Sequence, residues 1–344
     1  MALAEIYQPI QSKLQATEAL FLKELASTNG LLGELTRYIA RMPGKKIRPA
    51  LALLSAGLIR KGRVGPAPFS DPAVRLATAV EMIHTATLLH DDVIDGACLR
   101  RGLSTLNAKW GDTLSVLSGD YLYSKAFCLL TELNHAEVLR LMSSTTRTVC
   151  EGEVAEIQHQ YDLSLPRATY LKIIHWKTAS LMGASAQAGA LLGGASSAQA
   201  KRFGTFGLNF GLAFQIMDDT QDLLGEEAVL GKSLGTDLAS GHLTLPLLTI
   251  RDAGGPEIRN HLAQWFNGNG SFGTRYHFKK VPGTDQMEKR LKFLKEQALK
   301  HQVPAYCRRV ANRYLAKARA QLSIFPASRT KSSLLALTNY LLKG

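Results

Sequence analysis

Apolar residues recur at three- and four-residue spacing along nearly the whole chain, while alternating Val, Ile and Thr runs bounded by turn pairs do not recur. A period of three to four places side chains on one face of a helix, whereas a half-buried strand needs a period of two. The pattern therefore predicts an all-α protein. Helical stripes fall at 3–26, 28–42, 72–95, 112–133, 135–160, 167–192, 197–222, 243–252, 257–265, 285–301, 304–323 and 328–342. Loops are expected where Gly, Pro and Asn gather: Met42-Pro43-Gly44, 62–72, Ser164-Leu165-Pro166, 225–235, 267–273 and Val281-Pro282-Gly283. Short connections between so many helices make a bundle. No linker divides the chain, so residues 1–344 are expected to form a single domain.

With 46% hydrophobic and 20% charged residues, the chain can bury a large core without staples, and whole-chain disorder is excluded. Cys98, Cys128, Cys150 and Cys307 form no Cys-x-x-Cys pair, which argues against zinc, thioredoxin-like and disulfide-framework chemistry. Reduced thiols and a cytoplasmic location are the expectation. Glu5 stands where a signal peptide needs its apolar stretch, so export is not expected.

The 41 basic and 28 acidic residues leave a net charge of +13, suited to nucleic acid, acidic lipid headgroups or phosphorylated small molecules. Nucleic-acid binding finds no recognisable module and no aromatic platform among the basic residues. The basic runs Lys289 to Lys300 and Arg308 to Arg319 read as solvated helix faces. Thr178 to Ala200 carries no charge and is long enough to span a bilayer, yet Ala, Gly, Ser and Gln dominate it. A central helix under close-pressing neighbours is the better expectation, with peripheral membrane contact left open.

Six of the thirteen aspartates fall in two five-residue windows, Asp91-Asp92-Val-Ile-Asp95 and Asp218-Asp219-Thr-Gln-Asp222. Each ends a strongly apolar helical stretch. Residues four apart share a helix face, so Asp91 with Asp95, and Asp218 with Asp222, aim carboxylates the same way. Gathered like charges are costly without a cation, and hard carboxylate oxygens favour magnesium, which binds through a few carboxylates plus water and substrate phosphate. Two such helix ends suit a diphosphate held through several ions. Exposed acidic caps, or a structural calcium site, are the blander alternatives.

Basic groups accompany the motifs. Gly44-Lys45-Lys46-Ile47-Arg48-Pro49 opens a helix, where an anion is favoured. Arg100-Arg101 is expected one and a half helical turns past Asp95. Lys177-Thr178 precedes the uncharged helix, and Lys232 follows the second motif without Walker A spacing. His84 lies two turns before Asp91 on the same face, a better ligand candidate than His90. Together these suit two phosphorylated ligands, one gripped through metal and one through Lys and Arg.

HTATLLHDDVIDGACLRRG and GLAFQIMDDTQDLLG resemble the trans-isoprenyl diphosphate synthases, also called polyprenyl synthetases. GKKIRP, EGEV, KTASL and GKSLGTDLASGHLTLPLL support the resemblance in the expected order, over about residues 15–342. It implies an all-α bundle around a deep cavity, usually a homodimer. The implied reaction is magnesium-dependent, head-to-tail condensation of an allylic prenyl diphosphate with isopentenyl diphosphate, releasing pyrophosphate, which is also the implied proton acceptor. By the same resemblance Asp91, Asp95 and Asp218, with Asp92, Asp219 and Asp222, hold magnesium against the allylic diphosphate. Arg100, Lys177, Thr178 and Lys232 contact that diphosphate. Lys45, Arg48, His84 and Arg101 bind isopentenyl diphosphate, and Gln215 sits near the reacting carbons.

Two departures stand out: Pro43 where many relatives have Gly, and His242 where many have a diphosphate-contacting Lys. Ala86 and Thr87 stand five and four residues before Asp91, roughly 6–7.5 Å back along the helix axis. Short-chain relatives carry bulky aromatics there, so small residues imply an open tunnel, continued by Ile83, of the kind a long-chain all-trans product such as a quinone side chain needs. The blander alternative is that Ala86 and Thr87 merely permit close helix packing. The alternatives are a geranylgeranyl or farnesyl diphosphate synthase, or a non-catalytic partner subunit, though such subunits typically lose the Asp motifs.

Overall fold

A computed structural model describes residues 2–26, 30–60, 68–100, 102–225, 235–267 and 284–342. The architecture is all-α, as the apolar period requires. In chain order come α1 (Leu3–Tyr7), a 3-10 turn over Gln8–Ile10 at Pro9, α2 (Gln11–Ala26), α3 (Gly30–Ile39), α4 (Ile47–Arg60) and α5 (Pro72–Ile94). A hairpin of two-residue strands, β1 (Leu99–Arg100) and β2 (Leu103–Ser104), leads to α6 (Leu106–Trp110), α7 (Asp112–Thr131) and α8 (Ala136–Gln158). The expected helix at 167–192 is three pieces: α9 (Arg167–Ile174), a π-helical turn at His175–Ala179 and α10 (Ser180–Leu192). Then follow α11 (Ser197–Leu224), α12 (Thr236–Ala239), α13 (Leu245–Ala253), α14 (Gly255–Asn267), α15 (Thr284–Lys300), α16 (Val303–Gln321) and α17 (Arg329–Tyr340).

The helices group into two compact units, one of residues 1–147, 180–210 and 317–344, the other of residues 148–179 and 211–316. In the first, α5 is the central helix, packed against α2, α4, α7 and α10. Its start is fixed by Asp71, whose carboxylate accepts from the Ala73 amide at 2.9 Å and pairs with Lys13 at 2.7 Å and Arg60 at 2.9 Å. Pro72 then supplies a preset first helical residue. Burial works to raise the Asp71 carboxyl, but these donors outweigh it and hold it below its ordinary value. The uncharged α10 is buried through Ala184, Ala186, Ala188 and Ala190, a small-sided helix packed against α4 and α5. No helix among the described residues is long and apolar enough to cross a membrane.

In the second unit, α11 continues from Gly211 and carries Gln215, Asp218, Asp219 and Asp222 beside the last turns of α8, the α9 segment and α12. α13 is anchored by Arg251, whose Nη1 donates to the carbonyls of Leu163 and Leu165 at 2.8 Å each.

Candidate active site

The first aspartate motif closes α5. Asp91 is half-buried and Asp95, at the helix C-cap, is exposed, its amide donating to the Asp91 carbonyl. Asp92 projects to the other side and is fully buried. The chain does not run on as a helix to Arg100, as the sequence suggested. Instead it leaves the helix after Ile94 and enters the hairpin, where Arg100 pairs with Leu103 across a turn containing Gly102 at φ +78°. That return brings Arg100 Nε to 2.7 Å from Asp92 Oδ1. Asn107 donates to the Asp92 carbonyl at 3.2 Å, and Tyr38 donates to the Ser104 carbonyl at 2.6 Å, tying the hairpin down. Asp92 Oδ2 has no hydrogen-bond partner. Burial pushes the Asp92 carboxyl above its ordinary value against the opposing pull of Arg100. Arg101 lies outside the described residues.

Two turns back on α5, His84 Nε2 stands 3.0 Å from Arg48 Nη1, at the start of α4. Arg guanidinium only donates, so this geometry uses His84 as the acceptor. Lys46 pairs with the buried Glu81 at 2.9 Å. Lys45 is exposed, and its carbonyl accepts from the Tyr7 hydroxyl at 2.9 Å. Ile83 and Ala86 are wholly buried, whereas Thr87 is half-buried and shares the Asp91 face.

In the second unit the π-helical turn displays Lys177 and Thr178, a local widening that often marks functional positions. Lys177 pairs with Glu153 at 2.6 Å and, at short range, with Glu156. Gly152 permits this approach: a Cβ there would stand 2.5 Å from the Lys177 amide nitrogen. Glu156 is held below its ordinary value: burial opposes ionisation, but His242 and Lys177 outweigh it. His242 itself lies 3.0 Å from Gln160 Nε2 and 4.0 Å from Glu156.

A hydrogen-bond chain organises the second motif. Tyr170, on α9, donates from its hydroxyl to Asp219 Oδ2 at 2.5 Å, and Gln215 Nε2 donates to Asp219 Oδ1 at 2.7 Å. Thr178 Oγ1 then donates to Gln215 Oε1 at 2.9 Å, which fixes the amide orientation. Burial pushes the Asp219 carboxyl up to about 7, with Asp218 and Glu156 adding to the rise and the two donors opposing it. Asp222 accepts from Thr236 Oγ1 at 2.8 Å and from the Asp237 amide at 3.1 Å, so it caps α12. Burial, then Asp222 and Asp219, push the Asp237 carboxyl well above its ordinary value. Asp218 is half-buried. Lys232 lies outside the described residues.

Each motif thus has a buried second aspartate that holds a donor, Arg100 in one case and Tyr170 with Gln215 in the other. Tyr170, Glu153, Glu156 and Asp237 are site residues that the sequence did not single out. Among the described residues no three His, Cys, Asp or Glu side chains form a ready-made metal cage. In each motif the accessible carboxylate oxygens are hard donors that suit magnesium, which keeps waters and takes its remaining ligands from phosphate. The unpartnered, buried Asp92 Oδ2 is also an atom that a nearby cation relieves. Asp91, Asp95 and Asp218 have the solvent access that an ion needs.

The family model for polyprenyl synthetase matches residues 29–271. The chain is 39% identical over 248 residues to the octaprenyl diphosphate synthase of Haemophilus influenzae, covering 72% of this chain and 73% of that protein. It is 32% identical over 335 residues to heptaprenyl diphosphate synthase component 2 of Bacillus subtilis, covering 97% of this chain and 89% of that protein. A crystal structure of a polyprenyl synthase from Caulobacter crescentus, complexed with calcium and isoprenyl diphosphate, superposes with a TM-score of 0.88 at 32% identity, covering 100% of this chain and 98% of that one. The chain belongs to the polyprenyl synthetase family and is a trans-prenyltransferase.

Proposed function

We propose that this chain, as one catalytic domain of residues 1–344, condenses isopentenyl diphosphate head to tail with an allylic prenyl diphosphate, giving a long-chain all-trans-polyprenyl diphosphate and pyrophosphate. The observation that carries the proposal is the division of labour in each motif. Accessible aspartates sit beside buried ones already committed to orienting Arg100 or Gln215. Asp91, Asp95 and Asp218 are the proposed magnesium ligands, and Asp92, Asp219 and Asp222 support them through the contacts just described. Bound magnesium supplies positive charge against the leaving diphosphate.

Arg100, Lys177 and Thr178 hold the allylic diphosphate, with Glu153 and Glu156 keeping Lys177 extended before substrate arrives. Lys45, Arg48 and His84 hold isopentenyl diphosphate. Concentrated positive charge stabilises the anion released as the allylic carbon–oxygen bond breaks. Gln215, locked by its neighbours, presents a fixed amide dipole towards the reacting carbons. Ile83, Ala86 and Thr87 set the length of the growing chain. The product chemistry suits a quinone side chain, and we assign the enzyme to the cytoplasm as a homodimer with peripheral membrane contact.

The test is pyrophosphate release by the purified protein. Release is expected only when both diphosphates and magnesium are present together. Release from one substrate alone, or none from the pair, contradicts the proposal.

A further inference from the structure

Glu296 is the last acidic residue in the sequence; the forty-eight residues after it hold nine Lys and Arg and no Asp or Glu. At the chain-wide frequency of 28 Asp and Glu in 344 residues, a stretch of that length carries about four. The two neighbouring helices differ sharply in this respect. On α15 the exposed Glu288, Lys289, Lys292, Glu296 and Lys300 mix both signs, as a solvated helix face does. On α16, the buried Val303, Cys307, Ala311 and Leu315 recur every four residues and define the inward side. Its opposite side exposes Ala305, Arg308, Arg309 and Arg313.

Arg309 and Arg313 are one turn apart, a like-charge spacing that destabilises a helix unless counter-charge is supplied. Among the described residues, ion pairs of this unit engage Lys177, Arg167, Arg251, His159 and His242. No described carboxylate pairs with Arg308, Arg309 or Arg313. In the last turn of α15, which His301 and Gln302 join to α16, Leu299 is 71% exposed, the highest value among the exposed large hydrophobic residues described.

We propose that this face of α16, with Leu299 and Lys300 at the end of α15, docks the protein on an anionic lipid surface. Guanidinium groups match lipid phosphate geometry, and basic residues near an anionic bilayer add attraction roughly one by one. The exposed Leu299, nine residues before Arg308 in the chain, supplies an apolar group that enters the headgroup layer. Nucleic acid shares the phosphate, but beyond non-specific attraction its bases need aromatic stacking or groove-reading partners. The nearby Tyr306 ring is already covered, by Arg167 at 5.1 Å and Arg309 at 6.0 Å. The use of such docking, delivery of a product with a water-insoluble tail, rests on the condensation proposed above; the surface itself does not.

The experiment is co-sedimentation of the full chain with phosphatidylcholine vesicles that contain or lack phosphatidylglycerol. Binding is expected only to the anionic vesicles and should weaken with salt. Arg308→Gln/Arg309→Gln/Arg313→Gln should lower partitioning on the order of a hundredfold, and each single substitution about fivefold, from the usual contribution per basic residue. Lys289→Gln/Lys292→Gln on α15 should stay near wild type. No binding to anionic vesicles, an unchanged triple variant, equal loss from the α15 pair, or tighter binding to an oligonucleotide each overturns the proposal. A protein that binds vesicles but releases no pyrophosphate overturns the condensation and leaves the surface standing.

Discussion

Replacing Tyr170 by Phe removes one hydroxyl and keeps the buried ring. The lost interaction is the 2.5 Å hydrogen bond to Asp219 Oδ2, made where solvent cannot substitute for it. Above a pH of about 7, where Asp219 is ionised, a hydrogen bond to it contributes about 1.5–3 kcal/mol, and its buried acceptor is then left short of a donor. If Asp219 orients Gln215 for the reaction, that loss appears in the transition state as a fall in kcat of about 10–100-fold. Steady-state kinetics at saturating magnesium should show the fall in kcat with KM for isopentenyl diphosphate unchanged. The same substitution in a Gln215→Leu background should add little, because both act through one network. Wild-type kcat in a folded Tyr170→Phe enzyme, or full additivity with Gln215→Leu, refutes the orienting role.

Asp91→Ala and Asp218→Ala should each cut turnover by orders of magnitude while the metal-free melting temperature holds or rises, since each removes charge from a repulsive cluster; near-normal turnover with ample magnesium contradicts their assignment. Thr87→Phe should shorten the products with little loss of stability, whereas Ala86→Phe, with no accessible space around it, should shorten them at a cost of about 1–3 kcal/mol from overpacking. Product mass and urea melts separate the two, and unchanged product length in both variants removes these positions as rulers. Asp71→Ala breaks a buried charge cluster and should cost about 3–5 kcal/mol in denaturant melts. Because the folded Asp71 carboxyl lies below its unfolded value near 3.8, its contribution is complete above that pH and is lost as pH falls through the lower, folded value.

Much of the fold was legible because one-sided burial leaves a periodic trace. α4 left none: Ala50 to Leu54 are all buried, so the helix has no polar face to set the period, and its existence was visible only at the GKKIRP start. The hairpin was also hidden, since two-residue strands are too short to alternate; Gly102 was the available turn signal. In the first motif, helical geometry separates Asp92 from Asp91 and Asp95, so its inward role follows from a rotation of about 100° per residue. Asp218 and Asp222 do share a face, yet Asp222 is taken up by Thr236 and the Asp237 amide, fourteen and fifteen residues on. Tyr170 sits 49 residues before its partner. Its one local clue is its place two turns before Lys177 on the same helical path.

The most direct test of the central proposal is the mass of the product formed from isotopically labelled isopentenyl diphosphate, an allylic primer and magnesium. The expected result is a ladder rising by one five-carbon unit per condensation and extending beyond the fifteen- and twenty-carbon products. A ladder that stops there contradicts the long-chain assignment, and the absence of any labelled ladder contradicts condensation itself.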